Sequence, residues 1–403
     1  MPGIAQDFVI PKNLVLKVVS GSITSVSFFS SASGFREISM KVFIDTNAFY
    51  NNWFVGNAHF KLLFHYLNNE QLDLLLSNLV VQEVNNLRNK EVGESKVEIN
   101  RLFNRLKKVN RADIGVSIDD VKISDYDIQQ ILSTKVHSIE GISYEDVSHA
   151  DVVSRALNVV KPFTDGEKGY RDTLIWLSFL KYLQDNRITS PVAFITANKN
   201  DFFEKKGSEL VFNRDLLNDI SMLGINTEIK PYLNVFDFVK DNVDQISNAV
   251  DRQEILDDQE DFLIQETESY LNAMNNSALS ELLMTRVFSD KLTEIIDIKS
   301  SIFEGLEDPE VDYVSELTSP SVYITCNYEM RHVDLVVTIE LVEFKQHVDE
   351  IEAIKTLYNL AIDGDYVNLS FIIRSLGITA AFEYNATTEE CSNLTVDRIW
   401  DQS

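Results

Sequence analysis

Four acids stand where a chain of this kind could do chemistry: Asp45, Glu83, Asp172 and Asp201. Asp45 closes the short apolar run 42–44, which reads as a buried strand. Asp201 follows a second apolar run, 192–196, separated from it by a polar Asn-Lys-Asn cluster. Glu83 falls in the first turns of a helix beginning after the cap Ser77-Asn78, beside apolar Val80, Val81, Val84 and Leu87. Asp172 opens a strongly apolar helix. Each acid alone has an ordinary explanation, as a helix cap or a charge placed at the positive end of a helix dipole. Together they imply more, because carboxylates at strand ends and helix starts converge on one edge of a parallel sheet. Four carboxylates packed without cations would raise one another's pKa. Mg²⁺ or Mn²⁺, which prefer oxygen ligands, would remove that conflict. Such a site lowers the pKa of water and steadies both the attacking and the leaving oxygen of a phosphodiester, with no Ser or Cys nucleophile required.

The elements that must position these acids follow from periodicity. Residues 57–68 have helical spacing, with Phe60, Leu63, Phe64 and Leu67 on one face; His59 and His65 there are read as packed or solvated. Residues 72–76 form a second strand, and helices are expected at 79–88 and 95–110. The later helix carries a basic stripe, Arg101, Arg105 and Lys108, at i, i+4 and i+7. It is read either as a solvated face or as a surface for phosphates. Residues 112–165 read as a helical insertion or lid. A Gly-containing polar loop then leads into a helix at 173–183, and a strand at 227–229 completes an alternating β/α domain over 40–240. Residues 241–320 read as an acidic helical connector. Residues 321–403 read as a smaller α+β domain, with strands at 322–328, 332–344, 367–373, 377–384 and 394–399 and a helix at 348–361. Residues 1–39 form an extension of uncertain status, a hairpin or flexible arm, or a leader preceding a native start at Met40.

Composition bounds the function. The chain of 403 residues carries a net charge of −27, so as a whole it repels nucleic acid. A nucleic-acid reader would need a local basic patch or bound cations. The two cysteines, Cys326 and Cys391, lack neighbours at zinc-ligand spacing. Sparse cysteine fits a reducing cytoplasm. No apolar run reaches the roughly 18 residues of a membrane helix, and no signal-peptide pattern opens the chain.

Four stretches carry a resemblance to a known family. They are Phe43-Ile44-Asp45-Thr46-Asn47, then Val81-Gln82-Glu83-Val84, then residues 166–176 around Lys168, Arg171 and Asp172, then residues 194–202 around Asn198, Lys199 and Asp201. In this order they resemble the motifs of PIN-domain ribonucleases, and within them a bacterial PIN-like branch. The resemblance spans residues 40–240 and implies a doubly wound parallel sheet. It also implies a Mg²⁺- or Mn²⁺-dependent endoribonuclease in which Asp45, Glu83, Asp172 and Asp201 hold metal. Asn47 and Asn198 would adjoin the acids, and Lys168, Arg171, Lys199, Arg101 and Arg105 would meet substrate phosphates. Single-stranded RNA, or the loops of structured RNA, suits a narrow acidic groove better than a duplex does. A toxin-like or phage-defence role follows by family analogy alone, with residues 321–403 sensing a partner or mediating oligomerisation. The alternative is a non-catalytic RNA- or protein-binding module on the same fold. A phosphatase with an aspartyl nucleophile would want a second Asp where Asn47 stands.

Overall fold

β1 (Lys41–Ile44) is buried after its first residue, the pattern of a strand covered on both faces. In the computed structural model it lies at the centre of a five-stranded sheet. The structure describes residues 40–110, 121–164, 168–207, 209–243, 255–256, 258–292, 295–318 and 320–402. The expected N-terminal hairpin or arm and the start at Met40 therefore concern a segment outside the described residues. β1 pairs in parallel with β2 (Leu74–Ser77) and β4 (Val192–Ile195). β3 (Ile139–Ile142) and β7 (Ile229–Tyr232) form the edges, also parallel, so the order is β3-β2-β1-β4-β7. Helices α1 (Ala58–Asn69), α2 (Asn78–Val109), α5 (Tyr170–Asp185) and α8 (Val235–Asn242) flank it. This is the doubly wound α/β arrangement the alternating pattern predicts. Chain order reverses between β1 and β4, which makes the crevice beyond their carboxyl ends the topological switch point.

Aromatic side chains fix how β1, β4 and α5 meet. Phe43 stacks on Phe194 with ring centroids 4.9 Å apart, and Phe179 reaches both rings at 5.0 and 5.1 Å. Trp176 is fully buried against this group, and its Nε1 donates to Asp219 Oδ2 at 2.9 Å. Asp219 sits on α7 (Arg214–Met222), which follows a hairpin of β5 (Phe203–Lys206) and β6 (Glu209–Phe212). The strand ends are thereby held in step, Ile44 opposite Ile195.

Several stretches differ from their sequence reading. The helices expected at 79–88 and 95–110 are one helix, α2, of 32 residues; Gly93 lowers helix propensity without stopping it. The insertion carries α3 (Ile128–Ser133) and α4 (His149–Leu157), as expected of a helical segment, but also β3, which extends the sheet. Residues 112–120 and 165 of it lie outside the described residues. The expected connector is divided. α9 (Glu260–Asn272) and α10 (Asn276–Leu282) bury Leu263, Leu271 and Leu279 in one core with the C-terminal strands. Residues 297–316 are not helical but form β8 (Asp297–Glu316), a long edge strand. Its charges hid it, as is common on edge strands, and Pro309 falls in a register shift between Glu307 and Glu310. The acids of α9 serve this edge: Glu260 accepts from Leu306 N at 2.9 Å and Glu268 from Ile302 N at 2.8 Å.

The remaining strands are β9 (Ser321–Glu340), β10 (Leu357–Asp363), β11 (Tyr366–Asn385) and β12 (Glu390–Asp401), in an antiparallel sheet of order β10-β11-β9-β8 with β12 on β11. α11 (Leu341–Gln346) takes the end of the strand expected at 332–344, and the helix expected at 348–361 is replaced by the short α12 (Val348–Glu352) and then β10. This sheet meets the first domain along α1. His59, buried, shares a 2.8 Å hydrogen bond with the Tyr323 hydroxyl and a 2.5 Å contact with Asp397, and Lys61 pairs with Glu383 at 2.6 Å.

Candidate active site

Asp45 ends β1 and is 2% exposed. Its Oδ1 accepts from Thr46 N and its Oδ2 from Thr196 Oγ1, both at 2.7 Å. Thr196 directly follows β4, so the hydroxyl that meets Asp45 is delivered by the in-step strand ends. The same oxygen accepts from Asn47 Nδ2 at 3.2 Å and Asn198 N at 3.1 Å, and Asn47 Oδ1 accepts from Ala197 N at 2.9 Å. Asn47 and Asn198, expected beside the acids, are thus part of a lacing between two strand ends.

Glu83 comes from the second turn of α2, which starts without a loop after β2 and is capped by Ser77. Its Oε2 accepts from Thr46 Oγ1 at 2.8 Å and its Oε1 meets Arg171 at 2.5 Å. Asp172, in the first turn of α5, accepts from Asn198 Nδ2 at 3.0 Å. Asp201 lies in the short helix α6 (Lys199–Phe202), 3.6 Å from Lys161 Nζ. Burial pushes the Asp45 carboxyl up to about 7, with the charge of Asp172 next and a smaller push from Glu83, against hydrogen bonds from Thr196 and Thr46. Asp172 is raised by burial, then by Asp201 and Glu83. Asp45 thus feels the charges of Asp172 and Glu83, and Asp172 those of Asp201 and Glu83, although 156 positions separate the first acid from the last.

The start of α5 depends on Gly169. Its φ is +105°, and a Cβ there would come 2.5 Å from the Pro162 carbonyl oxygen and 3.0 Å from Phe163 Cα. Gly169→Ala is expected to destabilise the protein by about 2–4 kcal/mol through strain and overpacking. Because Asp172 lies one turn away, the same change should lower any activity of the site roughly 10- to 100-fold. Urea unfolding together with a metal-dependent cleavage assay checks both, and an unchanged unfolding midpoint would refute the steric argument.

The basic residues divide. Arg171 touches Glu83, while Lys168 and Lys199 are exposed near Asp172 and Asp201. Arg101 and Arg105 are not brought to the acids. They lie 18 and 22 residues beyond Glu83 on α2, roughly 27 and 33 Å along its axis. Arg105 instead stacks on the Tyr366 ring and donates to its hydroxyl. The stripe was real, but the unbroken helix carries it away from the switch point. Sequence reasoning did not select Thr46, Thr196 or Lys161. The first two had a signal, a Thr immediately beyond Asp45 and another beyond β4; Lys161 had none.

Among the described residues no group of three or more His, Cys, Asp or Glu side chains is arranged to hold a metal ion as it stands. Arg171 contacts one oxygen of Glu83, and Lys161 lies 3.6 Å from Asp201. Residues 42–202 match the family model described as the PIN domain, without separating its branches. No curated protein and no solved structure matches the chain. Among the described residues no helix is long and apolar enough to cross a membrane.

Proposed function

We propose, from the premise that residues 42–202 form a PIN domain, that this protein is a metal-dependent ribonuclease acting on single-stranded RNA in the cytoplasm. PIN domains are usually nucleases and generally use Mg²⁺ or Mn²⁺. The observation that carries the reading is the hydrogen-bonded chain Glu83–Thr46–Asp45–Thr196–Asn198–Asp172 at the sheet's switch point. The donor set fits a hard divalent cation: it is all carboxylate oxygen, and Asp45 is buried, with the negative charges of Asp172 and Glu83 near it. When bound, Mg²⁺ or Mn²⁺ would lower the pKa of water and balance charge on the phosphodiester oxygens.

The protein's own residues divide the remaining work. Asp45 and Asp172 hold the cation, with Glu83 and Asp201 completing the oxygen set from either side. Thr196 and Asn198 orient Asp45 and Asp172 through single hydrogen bonds. Arg171, with a side chain 62% exposed, exchanges its contact with Glu83 for a substrate phosphate. Lys161, Lys168 and Lys199 hold flanking phosphates. A single strand threads such a crevice with its phosphates against these cations, whereas a stiff duplex meets the acidic remainder of the surface.

The test is cleavage of end-labelled RNA and DNA by the full chain with Mn²⁺ or Mg²⁺, with and without chelator. RNA cleavage that chelator abolishes is expected. RNA binding without cleavage under all these conditions would replace the enzyme with a binding module.

A further inference from the structure

A second polar hollow lies at the opposite edge of the parallel sheet. The acids stand beyond the carboxyl ends of β1 and β4. This hollow instead adjoins the carboxyl half of α1 and the turn leading into the amino end of β3, and it is closed by Leu317, Thr318 and Ser321 and by Glu383 of β11. Its volume is about 470 Å³, within the range of sites for small organic ligands. In a chain of net charge −27 its lining is unusual, with Lys61, Lys135, His65 and His137 against a single acid, Glu383.

The lining is held in place by its own hydrogen bonds. Asn68, on α1, uses both ends of its amide: Nδ2 donates to Lys135 O at 2.8 Å and Oδ1 accepts from His137 N at 2.9 Å. This clamps the 135–137 turn to α1 and sets both basic side chains at the hollow. Asn69 Nδ2 donates to His65 Nε2 at 2.8 Å, which leaves the ring proton on Nδ1 as a donor. Glu383 is already neutralised by Lys61 at 2.6 Å. Lys135 is half-buried and, among the described residues, no carboxylate pairs with it. A half-buried, unneutralised ammonium flanked by two imidazoles and hydroxyl and amide donors is complementary to a phosphate. The space beside it exceeds what inorganic phosphate fills.

We propose that this hollow binds a phosphate-bearing small molecule of mononucleotide size, with Lys135, His65 and His137 on the phosphate. The ligand would span α1 and the C-terminal sheet, so its binding energy adds to the seam already made by Lys61–Glu383 and His59–Asp397. The inference does not rest on the nuclease reading, since the two sites share no residue and lie at opposite ends of the strands.

The experiment is calorimetric titration of the full-length protein, in chelator, with AMP, inorganic phosphate and adenosine, alongside thermal unfolding with each. AMP should bind and raise the melting temperature, phosphate should bind at least tenfold more weakly, and adenosine should not bind measurably. Lys135→Gln and His137→Gln should each weaken AMP at least tenfold while leaving the ligand-free melting temperature within about a degree. Asp45→Asn should bind AMP as the unaltered protein does. Phosphate binding as well as AMP would reduce the ligand to a free phosphate and overturn the mononucleotide assignment. Absence of AMP binding at millimolar concentration would overturn the proposal. So would equal affinity of the Lys135 variant, or loss of AMP binding in the Asp45 variant.

Discussion

Asp45→Asn should abolish metal-dependent RNA cleavage, by about 10²–10⁴-fold in single-turnover rate, while leaving the protein folded and, without metal, more stable. One of the two hydrogen bonds survives the change. The asparagine oxygen still accepts from Thr46 N, but its amide faces Thr196 Oγ1, whose two lone pairs already accept from Asn47 Nδ2 and Asn198 N, so the bond to Thr196 is lost at a cost of about 1 kcal/mol. What disappears is a charge in a fully buried position. A carboxyl raised on folding from 3.8 to about 7 binds its proton more tightly in the native state. It therefore favours the native protein at pH below about 4 and progressively disfavours it as pH climbs through the window up to about 7. At pH 8 in chelator the ionised group disfavours the native state by up to about 4 kcal/mol, and the asparagine variant should recover a substantial part of that. Urea unfolding at pH 5 and pH 8 measures it: the stability gap between variant and unaltered protein should widen at pH 8. Added Mn²⁺ should narrow the gap from the unaltered side, because the unaltered site offers the cation one more carboxylate than the variant does. Full cleavage by the variant would remove Asp45 from the chemistry, and a gap that narrows at pH 8 would show that its environment does not disfavour charge.

Trp176→Ala should destabilise the protein by about 3–5 kcal/mol, the range for truncating a fully buried large aromatic. Trp176 touches Phe179, Phe194, Phe202 and Phe212, with ring centroids 5.4–6.3 Å away. Those residues lie on α5, β4, α6 and β6, the elements that carry or adjoin Asp172, Thr196 and Asp201. The cavity would loosen three supports of the site at once. It would also leave Asp219, half-buried and raised by that burial, with Arg155 but without the indole donor. Trp176→Phe separates the effects: it retains most of the ring packing and loses the 2.9 Å hydrogen bond, so about 1–2 kcal/mol is expected. A loss below about 1 kcal/mol for the alanine variant, by urea unfolding, would mean that the aromatic cluster does not hold these elements together.

The sequence by itself determined the parallel sheet and singled out four acids at strand ends and helix starts. Buried parallel strands must be apolar throughout, so runs such as 42–44 and 192–195 announce themselves, and a charge directly after one stands at a strand end. It did not determine the edge elements. β8 carries acids that only become intelligible beside α9, whose own carboxylates receive the strand's N–H groups, and β3 and β10 are too short and too exposed to show a period. Nor could it say where a helix stops. Two expected helices are one, and that continuity takes Arg101 and Arg105 away from the switch point to Tyr366. Only the folded chain decided that Thr46, Thr196 and Lys161 support the acids, and that Lys135 and His137 are clamped onto α1 at the other end of the strands. Strand character follows from local composition, because burial on both faces leaves its mark on successive residues. Which polar group meets which is fixed by register and crossing geometry between segments far apart in the chain, and no local pattern encodes that.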